Sequence, residues 1–237
     1  MRLRFRFSKV GKIRWTSHRD LARMWERAFR RVELPLAYTA GFSPRPKVSF
    51  GLALPTGYES VAEYLDVDLD PSRVDGLDVL ALPPVLSAAL PDGVDVTAAG
   101  IIDDRATSLQ HEVTSCDWYV EAAGTDVGRL RELAAGVLAA EQVVVTRERK
   151  GAAVTEDVRA AILTIDVFDG GIRAELATQP RALRPTELLA AMDPTLVERL
   201  ARRETQWILR ADGARDEPLA PRLAVADAPP AHAMERV

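Results

Sequence analysis

A short loop near the start of the chain carries residues suited to binding an anion. Between residues 41 and 47, Ser43, Arg45 and Lys47 stand at alternate positions, separated by two prolines that reduce flexibility. A hydroxyl, a guanidinium and an ammonium within so short a reach can all donate to a phosphate or a carboxylate. We interpret the loop as a binding element, with a purely structural role for its prolines as the alternative.

A second polar run is expected beside this loop. It comprises residues 56–60 and Glu63, and it leads into a neighbouring strand. Because it is richer in polar side chains than a simple connection needs, we predict a polar cluster that includes Ser60 and Glu63. The sequence leaves the roles of Glu59 and Glu63 open.

Two ring side chains lie near the start of the first predicted helix. His18 can act as a general acid or base or can meet an anion, whereas a lone histidine is more often a hydrogen-bonded turn residue. Trp15 can stack on a nucleobase, or it can pack on the core ahead of the helix. Both residues therefore keep a functional and a structural interpretation.

Charge is distributed very unevenly along the chain. The first fifty residues contain thirteen Arg and Lys against three Asp and Glu, a net +10 in a chain whose total is −4. Such an excess requires negative charge nearby, either on a polyanionic partner or on acidic residues of the same fold. The choice between these two sources decides the function.

The first strand carries part of this charge. Residues 2–7 alternate between apolar and basic side chains, which predicts a strand with one dry face. Asp66 and Asp68, on a later strand, are expected to emerge beside the arginines on the open face, so cross-strand ion pairs are the alternative to a ligand. The apolar residues are Leu3, Phe5 and Phe7, and the basic ones are Arg2, Arg4 and Arg6.

A helix is predicted directly after Ser17, which together with Asp20 resembles a capping box. Its apolar and basic residues fall on opposite sides. The basic stripe is a solvated face by default and a binding face by hypothesis. The apolar positions are Leu21, Met24, Trp25, Ala28, Phe29 and Val32, and the stripe is Arg19, Arg23, Arg27 and Arg30.

The predicted elements follow the order βαββαβ twice. This order is typical of a ferredoxin-like α+β sandwich, so we predict two tandem ferredoxin-like domains, at residues 1–104 and 105–211. Residues 212–237 are rich in proline and alanine without periodicity, and we predict that they form a disordered tail.

Residue counts exclude several classes of chemistry. Cys116 is the only cysteine, so an internal disulfide and a cysteine-ligated iron–sulfur cluster are excluded, and we expect it to be half-buried at a strand edge. His18, His111 and His232 lack the spacing of a zinc site. We therefore predict no metal and no cofactor. Because no apolar run approaches the roughly 20 residues of a membrane span, we expect a cytoplasmic protein that does not enter a membrane.

Four segments form a distinctive pattern: RWTSHRDL at 14–21, ERA at 26–28 followed by Arg30 and Arg31, GFSPRPK at 41–47, and GYES at 57–60 followed by EYLD at 63–66. They resemble the radical SAM-linked protein family, a domain of unknown function encoded beside, or fused to, a B12-binding-type radical SAM protein. The resemblance extends over most of residues 1–210 and implies a radical SAM protein as partner. Arg19 and Arg45 depart from the family pattern, in which an apolar residue and a histidine are expected.

Three functions from different classes fit these residues. The first is a non-catalytic accessory protein that binds RNA and presents it to the radical SAM partner for modification or processing. The second is an RNA endonuclease resembling the CRISPR repeat-processing type, with His18 as the catalytic residue, and the third is a protein-only docking adaptor. The predicted anion- or RNA-binding residues are Arg14, His18, Arg23, Arg27, Arg30, Ser43, Arg45 and Lys47.

Overall fold

The computed structural model describes residues 1–149, 151–168 and 170–219. The fold is a mixed α+β structure with a large mixed sheet and few helices. The helices are α1 (His18–Arg31), α2 (Leu82–Ala89), α3 (Leu109–Glu112), α4 (Val127–Ala139) and α5 (Pro185–Met192). The strands are β1 (Arg2–Lys9), β2 (Val48–Phe50), β3 (Glu59–Asp68), β4 (Val96–Ile102), β5 (Ser115–Ala123), β6 (Val144–Arg149), β7 (Ala152–Asp157), β8 (Ile162–Phe168), β9 (Gly171–Ala177), β10 (Val197–Leu209) and β11 (Arg215–Asp216).

One sheet passes through both halves of the chain. Its main order is β4-β1-β3-β10-β5-β9-β8, and β2 pairs with β3 on the edge that β10 also joins. Neighbouring strands are antiparallel except β3 and β10, which pair in parallel at Glu59 and Ser60. The β6–β7 hairpin forms a separate two-stranded sheet.

The core of the first half forms as its periodicity predicts. Leu3, Phe5 and Phe7 of β1 are buried against α1, where Trp25 lies with its ring centroid 5.0 Å from that of Phe7. Helix α1 begins at the predicted cap, because the Ser17 hydroxyl accepts a hydrogen bond from the Asp20 backbone N–H at 3.2 Å. The predicted apolar face of the helix is confirmed.

A second hydrophobic core is built mainly from the second half. Cys116, Trp118 and Val120 alternate along β5 and are buried in the cluster that includes α4 and α5. Cys116 is therefore fully buried and not half-buried at a strand edge as expected, because β5 lies inside the sheet between β10 and β9. Tyr58 and Tyr64 of the first half also belong to this second core, and one sheet passes through both halves, so the domain boundary near residue 104 stays a prediction.

The second half departs from a plain βαββαβ order. The β6–β7 hairpin lies between α4 and β8, and a turn at residues 194–195 leads into the long strand β10. In the stretch predicted to be a disordered tail, β11 pairs with β10, and residues beyond 219 lie outside the described residues. Within the described ranges, no helix combines the length and the apolar character needed to cross a membrane.

Candidate functional site

The arginines of β1 find counter-ions inside the chain. Arg4 is 3% exposed, and its Nε and Nη2 donate to the two carboxylate oxygens of Asp66 at 2.7 and 2.9 Å. Arg2 Nε donates to Asp68 at 2.8 Å. Cross-strand ion pairs, given above as the alternative to a ligand, are the arrangement found.

The chain's own C-terminal segment covers the face where these arginines lie. Arg6 Nε is 3.4 Å from a carboxylate oxygen of Glu217, and Arg4 Nη1 donates to the carbonyl of Pro218 at 3.3 Å. The Tyr64 hydroxyl donates to Glu217 on the same face. This face, which the sequence predicted to be open, therefore leaves no room for a ligand at Arg4.

The basic stripe of α1 behaves differently. Arg19, Arg27 and Arg30 are exposed, as is Arg31 at the end of the helix, and within the described residues none has a carboxylate within 4.0 Å. Arg23 pairs with Asp20 at 3.2 Å, but both side chains are about half exposed, so the pair contributes little. The outer face of α1 thus keeps an excess of positive charge.

The loop between α1 and β2 is fixed by its backbone. Tyr38 forms an isolated antiparallel bridge with Pro46, and the Arg45 backbone N–H donates to the Thr39 hydroxyl at 3.0 Å. The side chains at the three predicted donor positions, Ser43, Arg45 and Lys47, are exposed, and in the part of the chain that the structure describes neither cation meets a carboxylate. We call residues 38–47 and the outer face of α1 the helix–loop surface.

Aromatic rings are exposed in this loop and just ahead of α1. Trp15 is 64% exposed and contacts Arg14 and Gly57, so it does not pack on the core. Tyr38 is half exposed, and Phe42, at the tip of the loop, is fully exposed. His18 is also exposed and meets Phe50 edge-on at 4.9 Å.

Arg14 is tied to the second polar run. Its Nη1 lies 3.5 Å from a carboxylate oxygen of Glu59, which also accepts a hydrogen bond from the Gly11 backbone N–H at 2.8 Å. Glu59 therefore anchors the short 3-10 helix Gly11–Trp15 to the start of β3. The sequence had left this role open.

Ser60 and Glu63 are buried and lie away from the loop. The Ser60 hydroxyl accepts a hydrogen bond from the Ala62 backbone N–H, and Glu63 accepts one from Arg203 Nη1 at 2.9 Å. Burial lowers the pKa of Lys9, and the charge of Glu63 opposes this shift. The polar cluster thus stabilises the junction between β3 and β10.

A cavity of about 740 Å³ lies where the two halves meet. Residues 52–55 of the first half line one part, and residues 181–187 of the second half line another, together with Trp118 and Arg203. Arg203 lies over the Trp118 ring at 4.9 Å. None of the eight predicted anion-binding residues lines this cavity.

Sequence reasoning missed Arg203 and the cavity. The sequence carried little signal, because the alternate neighbours of Arg203 in its strand are Ala201, which is apolar, and Thr205, which is polar. Burial raises the pKa of the Cys116 thiol, which also lines the cavity, to about 12, so this thiol stays protonated at neutral pH. Burial likewise raises the pKa of Tyr58 to about 12, and the Tyr58 hydroxyl donates to Glu198 at 2.9 Å.

Comparison with known proteins gives one family. A protein-family model described as "Uncharacterized protein conserved in bacteria (DUF2344)" matches residues 2–203. No curated protein matches the chain.

Proposed function

The chain belongs to the DUF2344 family of uncharacterized bacterial proteins, and we propose that it is a non-catalytic accessory protein that binds RNA through the helix–loop surface. The bound RNA would then be presented to a radical SAM partner for modification or processing. The partner enters from the resemblance of residues 14–66 to the radical SAM-linked family. The iron–sulfur cluster of a radical SAM enzyme requires three cysteines, so that chemistry would belong to the partner.

The observation that carries the RNA proposal is the division of the amino-terminal cations into two groups. The strand arginines, Arg14 and Arg23 have carboxylate partners, whereas within the described residues the other exposed cations of α1 and those of the loop have none. Those unpaired cations are Arg19, Arg27, Arg30, Arg31, Arg45 and Lys47. They supply the phosphate-neutralising charge that RNA binding requires.

The exposed rings favour a single-stranded nucleic acid over an acidic protein. Aromatic side chains stack on unpaired bases, and each such stack contributes about 1–3 kcal/mol. Trp15, just ahead of α1, and Tyr38 and Phe42, in the loop that carries Arg45 and Lys47, are large rings that this chain leaves in solvent. A purely electrostatic docking surface would not need them.

We also infer that each half is a ferredoxin-like unit. The first half has the order β4-β1-β3-β2 and the second has the order β10-β5-β9-β8, with antiparallel neighbours in both. Both correspond to the order fourth-first-third-second of a βαββαβ unit. In the second half, the β6–β7 hairpin is then an insertion between α4 and β8.

Filter binding of total cellular RNA at about 50 and 200 mM salt tests the proposal. A protein that neutralises six phosphates of a single-stranded RNA should lose roughly three-hundredfold in affinity over this range. An Arg27→Ala, Arg30→Ala double variant should bind more weakly and with a shallower salt slope. Arg131→Ala, on the exposed side of α4 in the second half, is the matched control and should bind as the wild type does.

Each alternative function has its own outcome. Shortened RNA on a gel, abolished by His18→Ala, would instead indicate the endonuclease. Absence of RNA binding, with a radical SAM protein recovered on affinity purification, would indicate the docking adaptor. An Arg45→Ala, Lys47→Ala variant with full RNA affinity would refute the part of the surface assigned to the loop.

A further inference from the structure

The cavity between the two halves has the size and lining of a small-molecule site. Its volume of about 740 Å³ falls within the range of roughly 300–1,000 Å³ typical of ligand pockets, which often form at such junctions. Leu52, Leu54, Leu176 and Leu183 give it apolar walls. The residues of the helix–loop surface do not line it, so any ligand here is independent of the proposed RNA site.

Hydrogen-bond donors are in surplus at the inner part of this cavity. Arg203 Nη1 donates to Glu63 and the Leu52 carbonyl, and Nη2 donates to the Ala53 carbonyl. Nε is buried and has no acceptor among the described residues. A buried donor without an acceptor costs about 1–3 kcal/mol, so an acceptor atom from a ligand would be favourable once the side chain adjusts to meet it.

The rim adds a further donor. Arg184 is exposed, and although its backbone N–H donates to Glu187 at 2.9 Å, the described residues place no carboxylate within 4.0 Å of its guanidinium. The other two rim arginines are already occupied, because Arg147 and Arg181 both pair with Glu156, and Arg181 also pairs with Glu187. The hydrogen-bond donors left for a ligand are therefore those of Arg203, in the inner part of the cavity, and of Arg184, at its rim.

The surrounding carboxylates limit how much negative charge a ligand can bring. Glu148 and Glu187 line the cavity, and Glu63 and Glu156 form ion pairs with arginines that line it. A phosphate monoester, which carries about two negative charges, would meet this acidic set at close range. A single carboxylate would satisfy the spare donors with less repulsion.

We propose that this cavity binds a small monocarboxylate with an apolar body. The apolar part lies against the leucine walls, and the carboxylate accepts hydrogen bonds from Arg203 or Arg184. No covalent step is involved. This site is a further function of the chain that leaves the helix–loop surface free.

Fluorescence of 8-anilinonaphthalene-1-sulfonate, an aromatic monoanion, provides the test. The full chain should bind the probe, and decanoate should displace it at concentrations about tenfold lower than decanol or AMP. Equal displacement by decanoate and decanol would overturn the carboxylate assignment, and stronger displacement by AMP would overturn the charge argument.

Variants locate the site. Arg203→Lys should weaken decanoate binding about tenfold or more, because a hydrogen bond to a charged group is lost. Since Arg203 also holds Glu63 and that variant can fail to fold, Leu54→Trp provides a second test by filling the cavity from its wall, and it should abolish displaceable probe binding while the melting temperature stays near that of the wild type. Leu163→Trp, on the exposed side of β8, is the control and should bind normally. Unchanged binding in Leu54→Trp would refute the proposal.

Discussion

The substitution Asp66→Asn tests whether the arginines of β1 contribute to the stability of the fold. The Arg4 and Asp66 side chains are 4% and 7% exposed, and two charge-assisted hydrogen bonds join them. Leaving one member of such a buried pair without its partner costs about 3–5 kcal/mol. Glu112 lies 3.9 Å from Arg4 Nη1 and can neutralise part of the arginine's charge when Asp66 is replaced. We therefore expect Asp66→Asn to lower the free energy of unfolding by about 3 kcal/mol, the lower end of that range.

The same sheet face offers a matched control. Arg2 and Asp68 form an equivalent pair two residues along, but their side chains are 25% and 31% exposed. Solvent screens this pair, so Asp68→Asn should cost at most about 1 kcal/mol. Urea unfolding of both variants gives the comparison, and the melting temperature of Asp66→Asn should fall by roughly 6–12 °C.

A third variant separates loss of charge pairing from loss of shape. An Arg4→Met, Asp66→Leu double variant keeps the volume and removes both charges, so it should recover most of the lost stability. RNA affinity should be unchanged in all these variants at a temperature where they are folded. If Asp66→Asn and Asp68→Asn differ by less than about 1 kcal/mol, the arginines of β1 are not held as buried charges and the reasoning fails.

Three further measurements probe other parts of the chain. With its pKa raised to about 12 by burial, Cys116 should react with a thiol reagent at pH 8 on the order of a thousandfold more slowly in the native protein than in urea, and equal rates would contradict its burial. Burial also raises the pKa of Glu198 above 4.5, so the folded state binds the proton more tightly and loses stability as the pH rises from 4.5 through the folded pKa. Glu198→Gln has no carboxyl to ionise, so its urea midpoint should increase relative to that of the wild type between pH 4 and pH 7. If the difference between the two midpoints stays constant over this range, Glu198 is not buried. Gly57 has φ 93°, and a Cβ there would lie 2.9 Å from the ring of Trp15, whereas Gly213 has a similar φ and no atom within 4 Å of such a Cβ. Gly57→Ala should therefore lower the free energy of unfolding by more than Gly213→Ala does. Equal decreases for the two variants in urea unfolding would mean that Trp15 moves freely.

Local features of this chain could be predicted because their signals lie within a few residues. Ser17 caps α1 and Trp25 faces the core because both depend on spacing along one helix. The pairing of Asp66 with Arg4 also followed from sequence, as one of two alternatives, once the neighbouring strands were predicted. The sequence alone did not decide between that pair and a ligand.

Long-range features could not be predicted in this way. Glu63 and Arg203 are 140 residues apart in the chain and meet only because β3 and β10 pair in parallel across the two halves. Glu217 meets Arg6 after an even longer separation, from a stretch whose composition predicted disorder. No periodicity encodes such contacts, and the cavity between the halves depends on both strands being in place.

The positive charge of the first fifty residues therefore has two explanations. On β1, alternation places arginines on a sheet face where the carboxylates of β3 and the C-terminal segment neutralise them. On α1, the 3.6-residue repeat places arginines on the side opposite the core, where within the described residues only Arg23 has a carboxylate partner. Carboxylates of the same chain therefore neutralise the cations of β1, Arg14 and Arg23, and the cations left for a polyanionic partner are the others of α1 and those of the loop. Substitutions of those remaining cations should weaken RNA binding, while substitutions on β1 should affect stability alone.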